Sequence, residues 1–94
     1  MYRLEVSPAA DRDLQRLKNR ISRPDFDHLR AAVQQLADEP RPHGVRMIKG
    51  AEHAYRIRVG NYCVVYEVYD DDRLVLILQV ARRSETTYRW QEVI

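Results

Sequence analysis

The sequence contains a single cysteine, Cys63, which excludes an internal disulfide and is typical of a protein from a reducing compartment. Its three histidines, His28, His43 and His53, stand singly, so no spacing of Cys and His predicts a zinc site. No apolar run approaches the length of a signal-peptide core or of a membrane span. We therefore expect a cytoplasmic protein with no membrane partner, no metal and no other cofactor.

Lysine is also scarce. Of 16 basic residues only Lys18 and Lys49 are lysines, and the formal net charge of +2 does not by itself indicate a nucleic-acid ligand. The remaining basic residues are arginines, whose planar guanidinium pairs with phosphate through two hydrogen bonds and stacks on bases. A GC-rich genome would produce the same bias. Arginine richness alone therefore leaves the function open.

The first half of the chain predicts one strand and two helices. Its 94 residues, 45% of them hydrophobic, suffice for one modest core, so residues 1–94 are expected to form a single domain. The segment "YRLEVS" alternates apolar and polar residues, which predicts a half-buried strand. Ser7 and Pro8 mark the start of a helix with an apolar stripe through about residue 20. Pro24 and Asp25 signal a second helix, which ends before the prolines of "EPRPHG".

From residue 45 onward the apolar period changes to two, which predicts strands. They are "VRMIKG", "AYRIRVG", "YCVVYEVY" and "RLVLILQVAR", with hairpin turns at Gly60-Asn61 and at Asp70, Asp71 and Asp72. The tail "SETTYRWQEVI" is expected to be a short helix or an ordered extension. The predicted fold class is α+β, with the strands in a meander and a helix hairpin packed on one face of the sheet.

Two arginines in the stretch "YRIRVGNYCVVYEV" are the main functional signal. Arg56 and Arg58 alternate with apolar residues, so they point to the side of the strand opposite to the apolar set. Because the apolar set belongs under the helices, the arginines are expected on the uncovered face. One interpretation is an exposed face with a cross-strand ion pair to Glu67, worth under about 1 kcal/mol. The alternative is a binding site for a polyanion.

The last strand favours the second interpretation. It ends in "VARRSETTYR", whose basic and aromatic residues would lie close to one edge of the sheet. A basic patch beside an aromatic ring suits single-stranded nucleic acid, since cations bind phosphates and a ring stacks on bases.

Taken in order, these segments resemble the small toxins of the RelE/ParE family of bacterial type II toxin–antitoxin modules. The resemblance covers essentially the whole chain and is most specific in "YRIRVGNYCVVYEV" and "VARRSETTYR". It implies a twisted antiparallel sheet with the N-terminal helix hairpin packed on one face. The RelE branch, to which the ending "VARRSETTYR" is more similar, implies an endoribonuclease that cuts messenger RNA in the ribosomal A site by attack of a 2′-hydroxyl. The ParE branch implies inhibition of DNA gyrase.

The resemblance also implies roles for individual residues. RelE-type toxins carry two basic residues on the strand before the glycine turn, an arginine at the end of the last strand, and a tyrosine a few residues later. The predicted catalytic residues are therefore Arg56, Arg58, Arg83 and Tyr88, and the predicted RNA contacts are Lys49, Arg82 and Arg89. The implied partners are a cognate antitoxin, the ribosome and its messenger RNA. The sequence leaves open whether the complex with the antitoxin also binds operator DNA.

Two positions depart from the family pattern. Many relatives have arginine where this chain has Cys63, which we expect on the open face beside the basic pair, and histidine where it has Arg82. Arginine is a poor general base because its pKa lies above about 12, so Lys49 and His53 are weighed as further participants. A ParE-type gyrase inhibitor and a weakened homologue that only binds antitoxin stay open as alternatives.

Overall fold

Two helices and five strands make up residues 1–83, which are the residues that the computed structural model describes. The elements are, in chain order, β1 (Arg3–Val6), α1 (Pro8–Lys18), α2 (Arg23–Gln35), β2 (Arg46–Met47), β3 (Ala54–Val59), β4 (Tyr62–Tyr69) and β5 (Leu74–Arg82). The predicted α+β class is confirmed. The predicted tail element lies outside the described residues.

Both helices begin at a serine followed within two positions by proline. The Ser7 hydroxyl accepts a hydrogen bond from the Ala10 N–H at 3.1 Å, and Ser22 accepts one from the Asp25 N–H at 3.3 Å. These caps satisfy N–H groups that have no partner within the helix. The first helix ends at Lys18, slightly earlier than predicted. Within residues 1–83, no helix is long and apolar enough to cross a membrane.

The strands form one sheet in the order β1-β5-β4-β3-β2. The last four strands along the chain are antiparallel neighbours, which confirms the predicted meander. The first strand instead runs parallel to β5, with Arg3 opposite Leu74 and Val6 opposite Ile77. The sheet is therefore mixed rather than wholly antiparallel. The alternating pattern of β1 indicates a strand but carries no information about the direction of its neighbour.

The hydrophobic core lies between the helices and one face of the sheet, as predicted for a helix hairpin packed on that face. Its fully buried members from the helical half are Ala10, Leu29, Val33 and Leu36. Its members from the sheet are Val59, Val64, Tyr66, Val68, Val75, Ile77 and Val80. In β4 these residues keep a strict period of two, as expected for a strand with one face on the core.

In β5 the period is interrupted by one extra residue. Val65 lies opposite Gln79 whereas the next residue, Tyr66, lies opposite Ile77, so Leu78 is a β-bulge. The next core residue of this strand after Ile77 is accordingly Val80, whereas an uninterrupted strand would place Gln79 in the core. The bulge exchanges the two faces of the strand for every residue that follows.

Candidate nucleic-acid interface

The face of the sheet turned away from the helices carries both arginines of β3. Residues directly opposite each other on neighbouring strands share a face, so the register defines this surface. We call it the arginine face, and its members around the arginines are Arg46, Arg56, Arg58, Cys63, Val65, Gln79 and Ala81; the same register continues it through Ala54, Glu67 and Leu76. The structure thus places Arg56 and Arg58 on the predicted side. Glu67 lies opposite Ala54 rather than opposite either arginine.

The register adds Arg46, which was not among the predicted site residues. It lies on β2 directly opposite Arg56, and its side chain is exposed. Like charges at directly opposed positions destabilise a strand pair, and an anion bound between them would relieve this repulsion. Only the pairing of the two-residue strand β2 reveals this juxtaposition, because nothing in "VRMIKG" fixes which residue of β3 it meets.

The two arginines of β3 differ in their environment. Arg58 is exposed, whereas Arg56 retains only 8% of its accessible surface. Cys63, opposite Arg58, is fully buried, as is Val65, opposite Arg56. The expectation of an uncovered face with exposed arginines and an open Cys63 is therefore wrong for Arg56 and Cys63. The burial of Arg56, Cys63 and Val65 means that this part of the face is covered, whereas the part at Arg58 is open.

Arg82 and Arg83 occupy opposite faces, so only one of them can join the β3 pair. Arg82 lies opposite Tyr62, which packs against the helix-side core. It lines a groove of about 190 Å³ together with Arg16 and Arg20, which lie at the end of α1 and just after it. Arg82 is thus on the helix side, whereas it was expected near Arg56 and Arg58; its contact with RNA stays a prediction. Successive residues of a strand face opposite sides, and the bulge determines which of the two arginines points where.

Arg83 continues the pairing one residue beyond β5. Its N–H donates to the Asn61 carbonyl at 3.1 Å, which extends the register of β4 and β5 by one pair. Arg83 itself has helical backbone and is exposed, so the chain leaves the strand here, next to the row formed by Arg58, Cys63 and Ala81. The structure therefore brings Arg83 to the end of the arginine face that carries Arg58.

The remaining predicted residues do not converge there. Lys49 is exposed in the turn between β2 and β3, beyond the Ala54 end of β3 and away from Arg58. His53 lies at the same end, where its ring is 4.8 Å from the ring of Tyr69. Neither residue is placed next to Arg58 and Arg83. Tyr88 and Arg89 lie outside the described residues.

A second polar network lies at the opposite end of the sheet from Arg83. Arg41 donates to both carboxylate oxygens of Asp70, at 3.2 and 2.9 Å, and its Nε donates to the Tyr55 hydroxyl at 3.0 Å. The Tyr2 hydroxyl donates to the same carboxylate at 2.6 Å. The hydrogen bond from Arg41 and, as a smaller cause, the one from Tyr2 lower the pKa of Asp70. This network ties the α2–β2 loop to the β4–β5 turn and does not extend to the arginine face.

A family model that describes the ParE toxin of type II toxin–antitoxin systems matches residues 4–87. The chain belongs to the RelE/ParE family of toxins. Toxin RelE of Mycobacterium tuberculosis is 32% identical to it over 88 residues, which cover 94% of this toxin and 87% of that protein. Putative toxin RelE1 of Methanocaldococcus jannaschii is 33% identical over 55 residues, which cover 55% of this toxin and 61% of that protein. That second match thus spans less than two thirds of the relative.

The fold of the toxin is also found in solved structures. The RelE–RelB complex of Pyrococcus horikoshii matches with a TM-score of 0.72 and 25% identity, and the match covers 87% of the toxin and 94% of that chain. The family and fold implied by the resemblance are thereby confirmed.

Proposed function

We propose that this toxin is a ribosome-dependent endoribonuclease that cuts messenger RNA in the ribosomal A site. The observation that carries the proposal is the register that gathers Arg46, Arg56, Arg58 and Arg83 on one side of the sheet. Guanidinium groups on one surface suit a chain of phosphates. The RelE relatives support an RNA target rather than a DNA target.

The proposed reaction is attack of a 2′-hydroxyl on the adjacent phosphorus. The 2′-hydroxyl loses its proton to solvent as the 2′-oxygen bonds to phosphorus, the bond from phosphorus to the 5′-oxygen breaks, and the departing oxygen takes up a proton from solvent. The products are a 2′,3′-cyclic phosphate and a 5′-hydroxyl. Negative charge grows on the phosphoryl oxygens in the transition state, and fixed cations aimed at them accelerate such a step.

The arginines divide this work according to their burial. Arg58 and Arg83 are exposed and would contact the phosphoryl oxygens of the scissile group. Arg56 is almost fully buried, so its guanidinium is held in place before the substrate arrives. None of them accepts the proton of the 2′-hydroxyl, since arginine stays protonated. Tyr88, assigned by the resemblance, would stack on the base or orient the hydroxyl.

A cognate antitoxin is the proposed protein partner. The structure from Pyrococcus horikoshii contains RelE with RelB, which supports the same kind of assembly here. An acidic antitoxin segment lying over the arginine face would neutralise it and exclude RNA from it. Since the proposed substrate is messenger RNA on ribosomes, the site of action is the cytoplasm.

A ParE-type gyrase inhibitor is the second candidate, and the match to the ParE toxin model favours it specifically. In that case the arginine face would contact gyrase or its DNA, and no RNA would be cut.

The purified toxin is tested on three substrates: messenger RNA on programmed ribosomes, the same RNA without ribosomes, and plasmid DNA with gyrase. We expect cuts within codons on the ribosome, ending in 2′,3′-cyclic phosphate, and no cuts in naked RNA. Arg58→Ala should abolish them, whereas Arg12→Ala, an exposed arginine on α1, should not. Equal cleavage of naked RNA contradicts ribosome dependence, and loss of supercoiling activity with intact messages establishes the gyrase alternative.

A further inference from the structure

Within residues 1–83, the outer edge of β5 has a strand partner for less than half of its length. β1 pairs with β5 from Leu74 to Ile77, and the bulge at Leu78 follows immediately. Beyond it this edge faces the start of α1 instead of a strand. A buried backbone N–H or C=O at such an edge needs a partner from elsewhere in the protein.

Two side chains supply these partners, one from the N-cap of α1 and one from its middle. The Ser7 hydroxyl donates to the Leu78 carbonyl at 3.3 Å, and the Asp13 carboxylate accepts from the Val80 N–H at 3.0 Å. The Asp13 side chain is only 15% exposed, and its second oxygen accepts from Arg16 at 2.6 Å. A carboxylate fixed at both oxygens is a well-defined acceptor for the bulged backbone.

The bulge sets the register in which β5 delivers Arg83. With the bulge, Val80 and Arg82 face the helices and Ala81 faces the other way, and the N–H of Arg83 bonds to the Asn61 carbonyl in the same register. Without it, alternation from Ile77 would bring Arg83 to the helix side and Arg82 to the arginine face. The core favours the bulge as well, because a continuous strand would bury the amide of Gln79 opposite Val64.

We propose that Asp13 is a positioning residue for Arg83. By binding the Val80 N–H it holds the bulged backbone three residues before Arg83, and so directs the guanidinium toward the row that ends in Arg58. The proposal rests on the proposed function, in which Arg83 contacts the reacting phosphate. Small displacements of a catalytic group lower the rate by up to about a hundredfold, so a positioning residue of this kind has a measurable effect.

The test compares variants that separate the two bonds of Asp13. Asp13→Ala and Asp13→Leu remove the acceptor, and leucine keeps the volume and the helix propensity if the alanine variant folds poorly. Asp13→Asn keeps an oxygen that can accept from the Val80 N–H. Arg16→Ala removes only the ion pair. We expect single-turnover cleavage on programmed ribosomes to fall about tenfold or more in the first two variants and to stay near the wild-type rate in the other two.

Two further measurements distinguish positioning from general stability. In an Arg83→Ala background, Asp13→Leu should cause no additional loss of cleavage, because the group that it positions is gone. Amide hydrogen exchange at Val80 and the NMR signal of the Arg83 guanidinium should change in Asp13→Leu but not in Arg16→Ala. Unchanged cleavage in Asp13→Leu, or an equal loss with and without Arg83, overturns the inference. If the wild-type toxin cuts no message, the proposed function fails, whereas the Val80 and Arg83 signals still decide the positioning.

Discussion

Neighbouring arginines on one strand perform different physical tasks in this toxin. Arg58 is exposed and can bind an anion without loss of packing, whereas Arg56 is 8% exposed and packs between β2 and β4. An arginine stem buried along apolar neighbours contributes to stability as well as to charge. Substitution of Arg58 should therefore lower activity alone, whereas substitution of Arg56 should lower both activity and stability.

For Arg58→Ala we expect cleavage on programmed ribosomes to fall about a hundredfold, in line with loss of one charge-stabilising group from a catalytic site. The free energy of unfolding should change by less than about 0.5 kcal/mol, as is usual for an exposed position. Arg56→Ala should lower both quantities, and urea unfolding beside single-turnover kinetics separates them. If Arg56→Ala is as stable as the wild type, its side chain does not pack as the burial indicates.

The position of Cys63 suggests that its thiol takes part in the site, but its burial argues against such a role. It lies opposite Arg58 on the arginine face but is fully buried. A thiol reagent should therefore label it only after unfolding, since reaction requires access to the sulfur. Cys63→Ser should keep the cleavage rate and lose about 1–3 kcal/mol of stability, because it buries a hydroxyl. Rapid labelling of the native toxin, or loss of cleavage without loss of stability, would assign the thiol a role in the site.

At the scale of elements, the contact between the α2–β2 loop and the β4–β5 turn depends on one carboxylate. Arg41 and Tyr2 both donate to Asp70, and these bonds lower its pKa below the ordinary value of 3.8. Since the folded pKa is below the unfolded one, ionised Asp70 stabilises the fold above the unfolded pKa. That contribution disappears as the pH falls through the folded pKa.

We therefore expect Asp70→Asn to flatten the acid limb of the stability curve. The urea midpoint of the wild type should fall toward that of the variant as the solution is acidified below pH 4, roughly the ordinary pKa of aspartate. Asp71→Asn, a neighbouring exposed turn residue, is the matched control and should keep the wild-type pH dependence. Parallel curves for wild type and Asp70→Asn would show that the bonds to Asp70 do not contribute to stability.

The sequence predicted where helices and strands begin better than it predicted which face of the sheet each residue occupies. Ser7 with Pro8 predicted the start of α1, and Gly60, whose φ of +59° glycine adopts without strain, predicted the turn from β3 to β4. The bulge was missed because "LVLILQV" is apolar at nearly every position, which hides a change of face. The side of the sheet on which Arg82 lies was missed for that reason. The burial of Arg56 was missed because strand alternation tells which side a residue faces but not whether that side is covered.

At the scale of the whole molecule, the distribution of charge matters more than its sum. The chain has 16 basic and 14 acidic residues, so its net charge of +2 provides little attraction for RNA. The arginine face concentrates positive charge on one side of the sheet, and Arg82 lies on the other side with Arg16 and Arg20. Binding to RNA should consequently depend on which arginine is removed and not only on how many.

The salt dependence of ribosome binding tests this distribution. Each phosphate contact to a single strand releases counterions and contributes about 0.7 to the slope of log affinity against log salt concentration. Arg46→Ala should therefore reduce the slope by roughly that amount, whereas Arg20→Ala, exposed on the helix side, should leave it unchanged. Both variants carry the same net charge, so a difference between them can only come from position. Equal reductions would mean that RNA binds through the overall charge of the toxin, and a larger effect of Arg20→Ala would move the interface to the helix side.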